Sequence, residues 1–130
     1  LCQNTNNYIK DFTNYLKDKG RIIRAHTLLN DALYSIQSDN SPVANDIKAI
    51  VLLCNGIVNY HEGNYSQALN YYKKAMSMTV ADSLVYARIL DNIGVFYLRS
   101  SNFHIAMTYL QDAIEIKKKY EIFRSSFHIF

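Results

Sequence analysis

The sequence predicts an all-α protein made of stacked helix hairpins, and three observations carry that prediction. First, the chain repeats itself. Gly56 and Gly94, Tyr65 and Phe103, Ala68 and Ala106, and Ala75 and Ala113 are each separated by 38 residues. A fixed period of this length marks stacked supersecondary units rather than one closed globule. Second, apolar residues recur at helical spacing, as in Leu69, Tyr72, Ala75 and Met76 and again in Ile105, Leu110, Ala113 and Ile114. No stretch shows the strict alternation of a strand. Third, short breakers, Glu62-Gly63-Asn64 and Ser100-Ser101-Asn102, interrupt the helical pattern at the same register of each unit.

Taken in order, the pattern predicts helices over about 5–19, 22–37, 44–62, 65–79, 82–100 and 103–119, and a further one from about 122. Lys19-Gly20 divides the first two. Ser38-Asp39-Asn40-Ser41-Pro42, which holds the single proline, is the clearest loop. Thr79 to Ser83 forms the next break, with Asp82 as the expected N-cap, and Asn64 and Asn102 stand where caps are wanted. Gly56 and Gly94 fall inside helices, where glycine costs about 1 kcal/mol relative to alanine. Their recurrence at one register therefore needs a packing reason. A missing Cβ on one helix facing alanines seven residues apart on the next lets the pair approach closely.

Composition narrows the function. With 130 residues, 49% of them hydrophobic, the chain suits one domain with a continuous core between helix layers. Eleven tyrosines and no tryptophan are read chiefly as packing, since tyrosine buries its ring and keeps its hydroxyl at a wet boundary. There is no Gly-rich phosphate loop, H-E-x-x-H or C-x-x-C pattern, and His26, His61, His104 and His128 fall on different helices without a second ligand at helical spacing. Neither an enzyme nor a cofactor or metal site is expected. Cys2 and Cys54 make no disulfide framework. The net charge is +3, and Lys117-Lys118-Lys119 reads as cations at a helix C-terminus rather than a nucleic-acid patch. No apolar run spans a membrane. The composition leaves the compartment open.

The repeat landmarks resemble the tetratricopeptide repeat. In one unit Leu90, Ile93-Gly94, Tyr97, Asn102-Phe103, Ala106, Leu110 and Ala113 follow that pattern. In the unit before it Leu52, Gly56, Tyr60, Gly63-Asn64-Tyr65, Ala68, Tyr72 and Ala75 do so, with Asn55 in the place of the usual leucine. A weaker first unit carries Ile9, Phe12, Thr13, Leu16, Gly20, Ile22, Ala25, Leu29 and Ala32, with Thr13 for the glycine and a 43-residue step from Ala25 to Ala68. The resemblance implies a right-handed superhelix of about three antiparallel hairpins, with repeats near 6–39, 49–82 and 87–120 and residues 121–130 starting a fourth. It also implies a piece of a longer chain, as the apolar end Phe127-His128-Ile129-Phe130 suggests.

In such arrays the first helix of each hairpin lines a concave groove that takes a protein or peptide ligand. The resemblance places Lys10, Asp11, Asn14 and Lys17 there from unit one. Leu53, Cys54, Ile57, Tyr60 and His61 come from unit two, and Arg88, Asp91, Asn92, Val95 and Arg99 from unit three. Asn92 is the amide suited to a ligand backbone, because it both donates and accepts. Arg88 and Arg99 suit a ligand carboxylate, whereas Asp91 would repel one. The expected role is thus a non-catalytic interaction scaffold, of the kind that forms the sensor part of bacterial regulators. The competing reading is an architectural module that self-associates through Phe123, Phe127, Ile129 and Phe130.

Overall fold

A computed structural model describes the backbone of residues 2–128 and the side chains of Asn14 and of residues 17–122. Five helices follow one another: α1 Cys2–Ile36, α2 Pro42–His61, α3 Tyr65–Met78, α4 Leu84–Arg99 and α5 Phe103–His128. No strand occurs among the described residues. α2 with α3 and α4 with α5 form hairpins, α4 packs on both α3 and α2, and α1 packs along α2.

The two hairpins repeat in atomic detail. Each turn is a Schellman motif. Gly63 N–H donates to Tyr60 C=O and Asn64 N–H to Asn59 C=O, and 38 residues later Ser101 N–H donates to Leu98 C=O and Asn102 N–H to Tyr97 C=O. The motif needs a left-handed residue at its centre, and Gly63 (φ 85°) and Ser101 (φ 66°) supply it. Inside each hairpin the glycine does what its register demanded. A Cβ on Gly56 would lie 2.4 Å from the Tyr72 ring, and one on Gly94 would lie 2.6 Å from the Leu110 side chain. Ala68, Ala75, Ala106 and Ala113 are wholly buried in the same seams. Around them Ala49, Leu52, Leu53, Tyr72, Ile89 and Ile93 make one core, and Ala87, Leu90, Ala113 and Ile116 a second.

Several expected boundaries are corrected. The break at Lys19-Gly20 is not made: α1 runs straight through it, so two hairpins and one long helix stand where three hairpins were expected. Likewise α5 continues past residue 119 without interruption, so no separate helix begins near 122. The α4 N-cap is Ser83, whose Oγ accepts from Tyr86 N–H at 3.1 Å, while Asp82 occupies the left-handed turn position before it (φ 66°). Asn64 holds the N-cap position of α3 but makes no side-chain cap; its amide turns to Glu62.

Polar and apolar contacts join α1 and the loop after it to α2. Lys48, almost fully buried, donates through Nζ to Gln37 C=O at 3.2 Å and to Asp39 C=O, closing the carboxyl end of α1 from a neighbouring helix. At the other end His26 Nε2 meets Glu62 Oε1 at 2.6 Å. Leu33 adds an apolar contact to the main core. Asn55, 1% exposed, keeps its Nδ2 without a hydrogen-bond partner among the described residues. Its counterpart 38 residues on is Ile93, a wholly buried core residue.

Candidate binding groove

The ends of α2 and α4 and the start of α3 converge on an aromatic cluster. The Tyr60 ring meets Tyr65 edge-on at 5.3 Å and Phe96 at 6.0 Å, and Tyr65 meets Phe96 at 6.4 Å. These arrangements set a positive ring edge against a negative face, the geometry aromatic pairs prefer. Two adjoining clefts open on this cluster. One, of about 580 Å³, is lined by Tyr60, His61, Tyr65, Phe96, Arg99 and Ser100. The other, of about 170 Å³, adds Ile57, Tyr72, Asn92 and Val95 to the shared residues.

Arg99 supplies the charge. Its guanidinium lies 5.5 Å over the Tyr60 ring and donates from Nη1 to the Tyr60 hydroxyl at 3.4 Å. A guanidinium has five N–H donors, so this contact orients Arg99 while leaving most of its donors unused. Among the described residues no carboxylate lines either cleft. The nearby acids are engaged elsewhere: Asp91 pairs with Lys117 of α5, and Glu62 with His26 and Asn64. Tyr72, which lines the smaller cleft, is buried. Burial, with a smaller effect of Tyr60, pushes the Tyr72 phenol up to about 12, so it stays neutral at any physiological pH. The Asn92 amide donates to Arg88 C=O one turn back at 2.8 Å.

Of the residues placed in the groove from the sequence, Ile57, Tyr60, His61, Asn92, Val95 and Arg99 come together here. Three do not. Leu53 is buried in the core and lines neither cleft, although it lies one turn before Ile57 on the same face of α2. Asp91 is turned to Lys117, so the expected repulsion of an anionic ligand is cancelled by a paired cation. Arg88 is exposed and lines neither cleft. Cys54 is half-buried on α2 and also lines neither. From unit one, Asn14 and Lys17 are exposed on α1 away from the clefts, while the side chains of Lys10 and Asp11 lie outside the described residues, as do those of Phe123, Phe127, Ile129 and Phe130.

Tyr65, Phe96, Ser100 and Tyr72 also line the clefts, and the sequence reading places none of them there. Tyr65 was visible only as a repeat landmark, and Phe96 sits one residue before the landmark Tyr97. Among the described residues no group of His, Cys, Asp and Glu could hold a metal ion, and no helix is long and apolar enough to cross a membrane.

Hairpins repeated in register define a helical-repeat protein. The chain belongs to the tetratricopeptide repeat family, whose model matches residues 48–119, more than half of its length. Repeats of this family generally mediate protein–protein interaction. The matched region takes in most of α2 and all of α3 and α4, and leaves α1 outside. The chain is also 30% identical over 70 residues to response regulator aspartate phosphatase E of Bacillus subtilis (strain 168), which covers 52% of this chain and 19% of that protein. The chain thus spans only a small part of that relative's length. No solved structure matches.

Proposed function

We propose that the chain binds a segment of a protein partner across the α2–α4 groove. In this reading an aromatic or aliphatic side chain of the partner enters the Tyr60–Tyr65–Phe96 cup, and a carboxylate beside it pairs with Arg99. The observation that carries it is the combination of an aromatic-walled cleft with one oriented guanidinium and, among the described residues, no lining carboxylate. The rigid hairpins hold these groups before a ligand arrives, which reduces the ordering cost of binding. Asn92 lies one to two turns along the same helix, placed for a ligand's backbone amide. The similarity to a response regulator phosphatase supports a further step, that this array is the regulatory part of a bacterial regulator or sensor.

Selection of a random peptide-display library on the intact chain tests the reading. Recovered peptides are expected to pair an acidic with an aromatic or large aliphatic residue. Their affinity, followed by fluorescence anisotropy, should fall on the order of tenfold or more for Arg99→Ala, because a hydrogen bond to a charged group is worth about 1.5–3 kcal/mol. Tyr60→Ala should weaken binding comparably. Selected peptides that bind both variants as tightly as the parent chain would move the site off this groove.

A further inference from the structure

The second half of α1 matches the second helix of the other two hairpins, position by position. A 43-residue step carries Gly20 onto Gly63, Ala25 onto Ala68, Leu29 onto Tyr72, Ala32 onto Ala75 and Leu33 onto Met76. The correspondence is structural too. Leu33 packs against the core of α2, as Met76 packs against the core of α4. What differs is the neighbouring face. Ala68 and Ala75 are wholly buried by α2, and Ala106 and Ala113 by α4, whereas Ala25, Leu29 and Ala32 are only partly covered and Leu28 is 68% exposed. The face that closes a hairpin is present on α1, and its partner helix is missing.

The sequence of that partner is present in the same chain. Residues 5–19 carry Ile9, Phe12, Thr13 and Leu16 at the spacing of a first helix, and the 43-residue step puts Thr13 on Gly56, the residue that receives Tyr72. Because α1 runs straight through Gly20, this segment points away from its own closing face, at 1.5 Å per residue. Among the described residues no atom lies within 4 Å of where a Cβ on Gly20 would be. At Gly63 and Ser101, the matching positions, the chain takes the left-handed conformation that turns it back.

We propose that two copies of this chain pair by exchanging residues 5–19, each copy laying its first segment on the Ala25–Leu29–Ala32 face of the other. The second copy is the occupant the structure favours. A straight α1 separates the two complementary stripes within one chain, and an antiparallel pair of straight helices covers both at once by a two-fold operation. This is the ordinary route by which a hinge that opens converts an intramolecular contact into a symmetric dimer. The proposal is independent of the α2–α4 groove.

The test uses the whole chain with Cys2→Ser and Cys54→Ser, and with Thr13→Cys and Leu29→Cys as counterparts of the touching pair Gly56 and Tyr72. Mild oxidation is expected to give a covalent dimer on a non-reducing gel, at a yield that rises with protein concentration. A monomer cross-linked within itself would show that residues 5–19 fold back on their own chain, and no cross-link would show that the face stays empty; either overturns the proposal. Sedimentation of uncross-linked variants gives a second readout. Gly20→Ala strengthens the straight helix by about 1 kcal/mol and should leave the chain dimeric. Lys19→Glu with Arg21→Asn copies the Glu62-Gly63-Asn64 turn and should shift the population to monomer. Gly20→Ala that remains monomeric at every concentration, with its helix content intact, would also refute the exchange.

Discussion

Gly56→Ala puts the packing argument at greatest risk, because two effects of opposite sign meet at one atom. Alanine in place of glycine in a helix interior is worth about 1 kcal/mol of stability. Against this, the new Cβ would stand 2.4 and 2.5 Å from Cε1 and Cδ1 of Tyr72 and 3.2 Å from the carbonyl oxygen of Ala68. Real Cβ atoms do not come so close, so something must move. The Tyr72 ring is 3% exposed and wedged in the core, and the Ala68 oxygen belongs to the α3 backbone. Overpacking of a filled core costs about 1–3 kcal/mol, so the clash wins and Gly56→Ala should destabilise by up to about 2 kcal/mol. Urea unfolding followed by circular dichroism reads the shift in midpoint. The same change made in a Tyr72→Ala background should reverse sign and approach the full helix-propensity gain. That gives a coupling of about 2–3 kcal/mol, as expected for residues in direct contact. Gly94→Ala should follow the same direction with a smaller loss, since it meets the half-buried and more adaptable Leu110. A Gly56→Ala chain as stable as the parent, or more so, would refute the idea that these glycines exist to admit the facing helix.

Three further outcomes follow from the same geometry. Asn55→Leu removes an unpartnered buried amide from a position whose counterpart is Ile93, and should raise stability by about 1–3 kcal/mol in the same unfolding assay. A loss of stability would mean that the amide has a partner in solution. Ser101→Gly relieves a left-handed serine (φ 66°) at the position Gly63 fills in the previous turn, and should add about 0.5–1 kcal/mol, read as a rise in thermal midpoint. Tyr72 keeps its proton in the folded chain up to about 12, against an ordinary value of 10.0, so its contribution is complete below about pH 10 and is lost between about 10 and 12. There the unfolded state gives up the proton first, and stability should fall by about 1.4 kcal/mol per pH unit on account of this residue. Tyr72→Phe should flatten that part of the alkaline unfolding curve, and an unchanged slope would place the effect elsewhere.

The hairpins were legible in the sequence because short-range signals and packing signals agree there. Gly56 and Gly94 declare a close approach, Ala68, Ala75, Ala106 and Ala113 declare the surface approached, and the breakers declare where the chain reverses. In unit one they part company. Lys19-Gly20 carries the turn signal, yet a lone glycine is tolerated inside a helix at about 1 kcal/mol. Whether the chain turns there depends on what covers Ala25 and Ala32, which no local pattern records. Asp82 and Ser83 show the same limit on a smaller scale. Both are good N-cap residues, and the choice between them falls to the backbone, because Asp82 takes the left-handed turn and leaves Ser83 to reach Tyr86 N–H.

The groove was half legible for a different reason. Helical register identifies which residues of one helix share a face, so Ile57, Tyr60 and His61 could be grouped, as could Asn92, Val95 and Arg99. Register does not say how two helices are turned toward each other, and that rotation decided Leu53, Asp91, Tyr65 and Phe96. Asp91 shows the consequence for function. Read along α4 alone it places a negative charge about two turns before Arg99 and argues against an anionic ligand. Read across the hairpin it belongs to Lys117, 26 residues away on α5, and the groove is left with the positive charge of Arg99 over an aromatic wall. The sign of the site's field is therefore a property of the helix pairing, set by the same close approach at Gly94 that the repeat announces.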